Sequence, residues 1–173
     1  MTPDGRFGYT PERDSDTVTK FDLAKREVVK TVTFPAGSKP YMLRVSPDGK
    51  EVWVQSPVTN SNYVLDAEDL KTLATEPCGK GPVTNAWSPD RKYSIVTNSN
   101  DTFAQVFDAR PPYKEVKRIN IGQGGANIGF TKDGTFAFIS VTGANAVAVI
   151  DMAKLDVVEQ LKAGTQPSGL IVR

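Results

Sequence analysis

The sequence predicts an all-β fold: a β-propeller built of four four-stranded antiparallel blades. Three observations predict it. A four-fold repeat runs the length of the chain with the period of a propeller blade. Each repeat divides into short runs rich in Val, Ile, Phe, Tyr and Thr, separated by turn residues. Capped stretches with helical periodicity are absent, which argues against an α/β alternative.

The repeat shows in three markers. The turn aspartates Asp4, Asp48, Asp90 and Asp133 are 44, 42 and 43 residues apart. The aspartates Asp22, Asp66, Asp108 and Asp151 keep the same steps, and Gly37, Gly79, Gly122 and Gly164 follow a similar spacing. The four repeats span about residues 2–45, 46–87, 88–130 and 131–173, read as one domain. In the first full unit, strand a is expected at Tyr41–Val45, strand b at Glu51–Gln55, strand c at Tyr63–Asp66 and strand d near Thr72–Thr75. Between a and b lies Ser46-Pro47-Asp48-Gly49, in which Pro presets φ and Gly accepts a positive φ. Arg91 stands in place of that Gly in the third unit, so a strained or reshaped turn is expected there.

The distance from turn Asp to strand-c Asp is 18 residues in every unit. From loop Gly to the next turn Asp it is always 11, and only the stretch through strand d varies. The b–c and d–a connections therefore keep their length while their side chains change. Loops held by a rigid frame are where binding residues concentrate.

"YSIVTNSNDTFAQVFD", Tyr93–Asp108, and Thr131–Asp151 with "KLDVVEQL" resemble the YVTN family of β-propeller repeats. The resemblance covers essentially the whole chain. It implies a propeller fold and a periplasmic or extracellular setting, and it leaves the role open, since such propellers serve many functions. It also implies that seven blades are common. WD40 repeats are disfavoured, because no Trp-Asp dipeptide and no His is present.

The phase of the ends bears on closure. Thr2 stands at the same repeat position as Ser46, Ser88, Thr131 and Arg173. The first blade lacks its own strand a, and Pro167–Val172 reads as a strand a with no following b. An unpaired edge invites a partner. The last strand is expected to complete the first blade by pairing with Phe7–Thr10. The alternatives are half of an eight-bladed homodimer, or a fragment of a larger seven- or eight-bladed propeller.

Composition limits the chemistry. The 173 residues carry 39% hydrophobic and 24% charged residues and a net charge of +1, so no global field draws the chain to nucleic acid. No apolar run has the length of a membrane span, and no signal peptide is read in the chain. The lack of His removes Ser-His-Asp and Cys-His catalysis and His-bound metals, and the single Cys78 removes paired-thiol chemistry. No cofactor, resident metal or catalytic residue is expected. A non-catalytic scaffold is preferred, with a lactonase-like hydrolase or a structural blade set as rivals.

Most polar markers have structural readings. The turn and strand-c aspartates suit N–H acceptance in turns. Asp14, Asp16 and Asp101 offer oxygen ligands for a cation such as Ca²⁺, but not in a regular series. Asn100-Asp101-Thr102 is a glycosylation sequon, and "GQGGAN" fails the dinucleotide pattern at Asn127. Tyr41, Trp53, Trp87, Phe130 and Phe138 are expected to pack between blades. Arg44 and Asn85 are candidates for lining a channel, with Gln166 beside the loop lysines. The binding candidates are Arg13, Asp14, Lys39, Asn62, Lys80, Asn98, Asn100, Asp101 and Gln123, toward a protein partner or a small polar ligand.

Overall fold

Turn aspartates recur because each accepts the hydrogen bonds that fold the a–b turn. Thr2 Oγ1 donates to Asp4 Oδ1 at 2.6 Å, and the Arg6 N–H donates to the same oxygen at 3.0 Å. Ser46 with Asp48 and Ser88 with Asp90 repeat this at 2.7 and 2.6 Å, closed by the Lys50 and Lys92 N–H groups. In the fourth turn the Thr135 N–H and hydroxyl both donate to Asp133. The N–H of Gly5, Gly49, Arg91 and Gly134 donates to the carbonyl three residues back in the four turns. Arg91 takes φ of +58°, so the expected strain is present but the turn keeps its shape.

The computed structural model describes residues 1–172; Arg173, the repeat counterpart of Thr2, lies outside the described residues. It contains fifteen strands and no helix among the described residues. The contacts divide it into two compact units, Met1–Pro77 and Cys78–Arg173. The first unit holds β1 (Phe7–Glu12), β2 (Thr17–Asp22) and β3 (Glu27–Thr33) in one sheet, with order β1-β2-β3. Its second sheet is β4 (Met42–Val45), β5 (Glu51–Ser56), β6 (Ser61–Asp66) and β7 (Thr72–Pro77), in chain order. The second unit holds β8 (Pro82–Trp87), β9 (Tyr93–Asn98), β10 (Phe103–Asp108) and β11 (Glu115–Asn120) in one sheet. The other is β12 (Gly125–Phe130), β13 (Phe136–Val141), β14 (Ala146–Asp151) and β15 (Asp156–Lys162). All pairings are antiparallel between chain neighbours. These are propeller blades: three of four strands and one of three.

The blade edge differs from expectation. Among the described residues β1 has one ladder neighbour, β2, and Pro167–Val172 forms no strand. Local bonds explain where that segment goes. The Ser168 carbonyl accepts from Asn127 Nδ2 at 2.8 Å and from Ser140 Oγ at 3.1 Å. Val172 lies so near Gly129 that a Cβ there would stand 2.9 Å from its Cγ2. The segment thus follows the β12–β13 edge of its own unit.

The strands alternate because their two faces meet different surroundings. In the first unit Val18, Phe34, Val52, Val54, Leu65 and Leu70 bury one core, which β1 and β4 reach from neighbouring sheets. In the second, Ile95, Val106, Ile119, Ile139 and Ile150 bury another, with β12 packed beside β8 and β9. Trp53 is fully buried, but Tyr41 is 48% exposed, against the expectation that both pack inside. Tyr41 precedes β4 and stacks under the Arg13 guanidinium at 5.9 Å instead. Asn85 is also buried, its Nδ2 donating to Ser94 Oγ at 3.0 Å.

The strand-c aspartates close the outer turns. Asp22 Oδ1 accepts from the Ala24 and Lys25 N–H groups, Asp66 Oδ1 from those of Glu68 and Asp69, and Asp151 Oδ1 from those of Ala153 and Lys154. Asp108 takes the Arg110 N–H and guanidinium.

These bonds make stability depend on pH. Hydrogen bonds from Thr131 and then Thr135 pull Asp133 from the ordinary 3.8 to about 2. Asp4 and Asp90 are lowered first by Thr2 and Ser88. A depressed carboxylate stabilises the fold above its unfolded pKa and loses that contribution as pH falls through the folded value. The urea midpoint should therefore fall as the pH drops from about 4 to about 2. Replacing Asp4, Asp90 and Asp133 together by Asn should flatten that fall. An equally steep fall in the triple variant would assign the acid sensitivity elsewhere.

Candidate functional site

The b–c turns occupy residues 13–16, 57–60, 99–102 and 142–145. Their last position is Asp16, Asn60, Thr102 or Asn145. Asp16, Asn60 and Asn145 take φ of +56°, +52° and +52°, which short polar side chains tolerate best after Gly. In the first unit the Asp16 carboxylate reaches across to the d–a loop. Oδ2 accepts from the Gly37 N–H and Oδ1 from the Lys39 N–H, both at 2.7 Å. These two bonds, the Lys39 one first, hold the Asp16 carboxyl below the usual carboxylate range. They also hold Lys39 at φ of +46°, a strained position for a side-chain-bearing residue. Asn145 Oδ1 repeats the device by accepting from the N–H of Gln166, at φ of +51°.

In the second unit Asp101 does the same work from the third turn position. Its Oδ2 accepts from the Lys80 N–H at 2.5 Å and its carbonyl from the Gly124 N–H at 3.0 Å. The Asn100 N–H donates to the Lys80 carbonyl, and the Gly143 N–H to that of Gln123. The 99–102 turn is thereby clamped between the d–a loops at 78–81 and 121–124. Below it, Gln105 Oε1 accepts from the Gly79 N–H at 2.6 Å, and Gln105 Nε2 donates to Glu115 Oε2 at 2.7 Å. The Arg118 guanidinium pairs with Glu115 at 2.6 Å, lies over the Phe103 ring and lowers the Glu115 carboxyl.

The sequence candidates separate on this frame. Lys80, Asn100 and Gln123 are exposed, and Asp101 is half-buried beside them, so one loop cluster carries all four. Arg13 and Asp14 are exposed on the 13–16 turn, with Lys39 half-buried on the clamped loop of the same unit. Asn62 and Asn98, expected on the loop face, are instead fully buried strand residues. The alternation of β6 and β9 turns them into the sheets. Asn62 Oδ1 accepts from Gln55 Nε2 at 2.8 Å, and Asn98 Nδ2 donates to the Phe103 carbonyl and Gln105 Oε1. Asp16, Gln105 and Asn145 escaped the sequence reading as loop clamps. Asp16 and Asn145 sit twelve residues beyond their turn aspartates, and that spacing was the available signal. Gln105, flanked by apolar residues within β10, offered no comparable one.

No three His, Cys, Asp or Glu side chains are arranged to hold a metal ion among the described residues. Asp16 spends both carboxylate oxygens on backbone N–H groups. Cys78 is half-buried at the start of the 78–81 loop.

No family model matches the chain, and no curated protein matches its sequence. Solved structures do match its fold. Over 98% of its length it is similar to the hydrazine synthase of Kuenenia stuttgartiensis, with a TM-score of 0.86 and 24% identity. It is similar to a candidate 6-phosphogluconolactonase of Bacteroides fragilis with a TM-score of 0.81 and 19% identity. The dihydro-heme d1 dehydrogenase NirN, solved in complex with DHE, matches with a TM-score of 0.78 and 26% identity. The chain spans 49%, 54% and 37% of those three chains, about half their length or less. The fold is a β-propeller fold.

The clamp can be tested at Gly79. A Cβ there would stand 2.7 Å from Asp101 Oδ2 and 2.8 Å from Phe103 Cζ. Retreat of Asp101 Oδ2 would lengthen the Lys80 bond and retreat of the Phe103 ring would disturb its stack with Arg118, so Gly79→Ala should destabilise by about 1–3 kcal/mol. Urea unfolding against the wild type checks this. A neutral result would mean the loop is free to shift.

Proposed function

We propose that this chain is a non-catalytic propeller scaffold that binds a small polar ligand or a protein partner through its b–c and d–a loops. The observation that supports it most is the clamped loop cluster of the second unit. Lys80, Asn100 and Gln123 stand exposed on backbone held by Asp101 and by loop-to-turn hydrogen bonds. A preorganised backbone lowers the ordering cost of binding, so varied side chains on it can set specificity. Lys80 supplies a cation, while Asn100 and Gln123 supply paired donors and acceptors. That set suits a hydroxyl-rich or carboxylate-bearing ligand. Arg13, Asp14 and Lys39 form the corresponding set in the first unit.

The finer assignments rest on sequence. The "VTN" and "VID" segments support a YVTN-type repeat, and with it a periplasmic or extracellular setting. The open edge of β1 supports a second component of the same reading. A strand from a further blade, or from a second copy of the chain, would complete the three-stranded sheet.

A lactonase-like hydrolase is the rival, supported by the likeness to the candidate 6-phosphogluconolactonase. One experiment separates the two. Wild-type chain and a Lys80→Ala, Asn100→Ala, Gln123→Ala variant are melted with gluconate, glucose, glutamate and an acidic peptide. They are also assayed for hydrolysis of glucono-δ-lactone. Binding at a hundred times Kd raises stability by about 2.7 kcal/mol, a shift of several degrees. The scaffold reading predicts such a shift with at least one probe, lost in the variant, and no turnover. Lactone turnover abolished by Asp14→Asn or Asp101→Asn would overturn it.

A further inference from the structure

Position sixteen after each turn Asp is an inward-facing residue of strand c. It is Val64, Val106 and Val149 in three blades, at 0%, 0% and 6% exposure. In the first blade it is Lys20, which is only 4% exposed. A lysine in a valine's place needs a reason, because burying an ammonium is costly.

The surroundings of Lys20 are built around its amine. Nζ donates to the Glu68 carbonyl at 2.8 Å, and no carboxylate forms an ion pair with it among the described residues. It lies 4.1 Å over the Phe7 ring and 6.0 Å from that of Tyr9. The Tyr9 hydroxyl is fixed to the Ala67 carbonyl at 2.7 Å, and burial raises its pKa to about 12, so it stays a neutral wall. Burial lowers the Lys20 pKa, opposed by Glu68, Asp66 and Asp69 and assisted by Arg6.

Lys20 also opens onto a cleft of about 840 Å³ within the first unit. Its lining combines the apolar Phe7, Tyr9 and Ala67 with the charged Asp4, Arg6, Asp48, Lys50, Asp66 and Glu68. The corresponding cleft of the second unit, around Asp90, Lys92, Tyr93 and Met152, measures about 360 Å³, and the strand-c position of Lys20 is there the buried Val106. Four carboxylates against Arg6, Lys50 and Lys20 disfavour an anionic ligand. The aromatic lining favours an apolar body, and the amine favours an electrophilic carbon.

We propose that this cleft binds a small neutral aldehyde or ketone and that Lys20 captures it as an imine. The nitrogen lone pair of the free amine adds to the carbonyl carbon, and the carbonyl π pair moves to oxygen. The proton of the resulting N–H₂⁺ group passes to that alkoxide through solvent in the cleft, which the Asp66 and Glu68 side chains line. The carbinolamine then loses water as the C=N bond forms, so amine and carbonyl give imine and water with no oxidant or reductant. Desolvation of a lysine is a general route to such a nucleophile.

The test is trapping on the intact chain. Benzaldehyde with cyanoborohydride is added at neutral pH for short times, and the products are mapped by tryptic mass spectrometry. The cleft should make the initial rate of benzylation at Lys20 about tenfold that at the exposed lysines. Lys20→Arg, which keeps the cation, should lose that fast site and leave the slow ones unchanged. Label spread over Lys25, Lys30 and Lys71 with Lys20 unlabelled in the wild type would overturn the proposal. That outcome needs no variant to fold, and it leaves binding at the loop face untouched.

Discussion

The structure depends on one device used many times: a short side-chain oxygen that accepts a backbone N–H, from a neighbouring residue in the turns and from a distant loop in the clamps. Asp48 with Lys50, Asp66 with Glu68 and Asp16 with Lys39 are three settings of it. In the first it folds the a–b turn, in the second it ends strand c, and in the third it ties one loop to another. Each bond satisfies a donor that a tight turn would leave open. The constant 18-residue interval from turn Asp to strand Asp holds strands b and c and the b–c turn between them, and an Asp acceptor stands at each end of it.

The same constraint decides what the blades can vary. The stretch through strand d tolerates changes in length, because β3, β7, β11 and β15 are largely exposed outer strands. The loops clamped by Asp16, Asp101 and Asn145 tolerate changes in side chain but not in length. Cost falls on the backbone: Lys39 and Gln166 are held at positive φ by the bonds their N–H groups make. Strain that surrounding hydrogen bonds maintain is common at binding surfaces.

Much of this was legible in the sequence, because period and turn chemistry are local. The spacing of Asp4, Asp48, Asp90 and Asp133 located every a–b turn, and the strands fell within a residue or two of their places. What escaped was set by partners distant in sequence. Asn62 and Asn98 read as loop residues because they border the turns, yet the strand alternation buries both. The fate of Pro167–Val172 turns on Asn127 and Ser140, which no local pattern connects to Ser168. The burial of Lys20 in "TVTKFD" follows from its register with Val64, Val106 and Val149, the buried residues at the same position of the other blades.

The most direct test of the clamped loops is amide hydrogen exchange, residue by residue. The Lys39 and Lys80 N–H groups lie on surface loops, where an unclamped chain exchanges at the rate of a free peptide. Protection of both amides in the wild type is predicted, with Asp16→Ala releasing Lys39 alone and Asp101→Ala releasing Lys80 alone. Exchange of either amide at the free-peptide rate in the wild type would contradict the clamp and the binding face built on it.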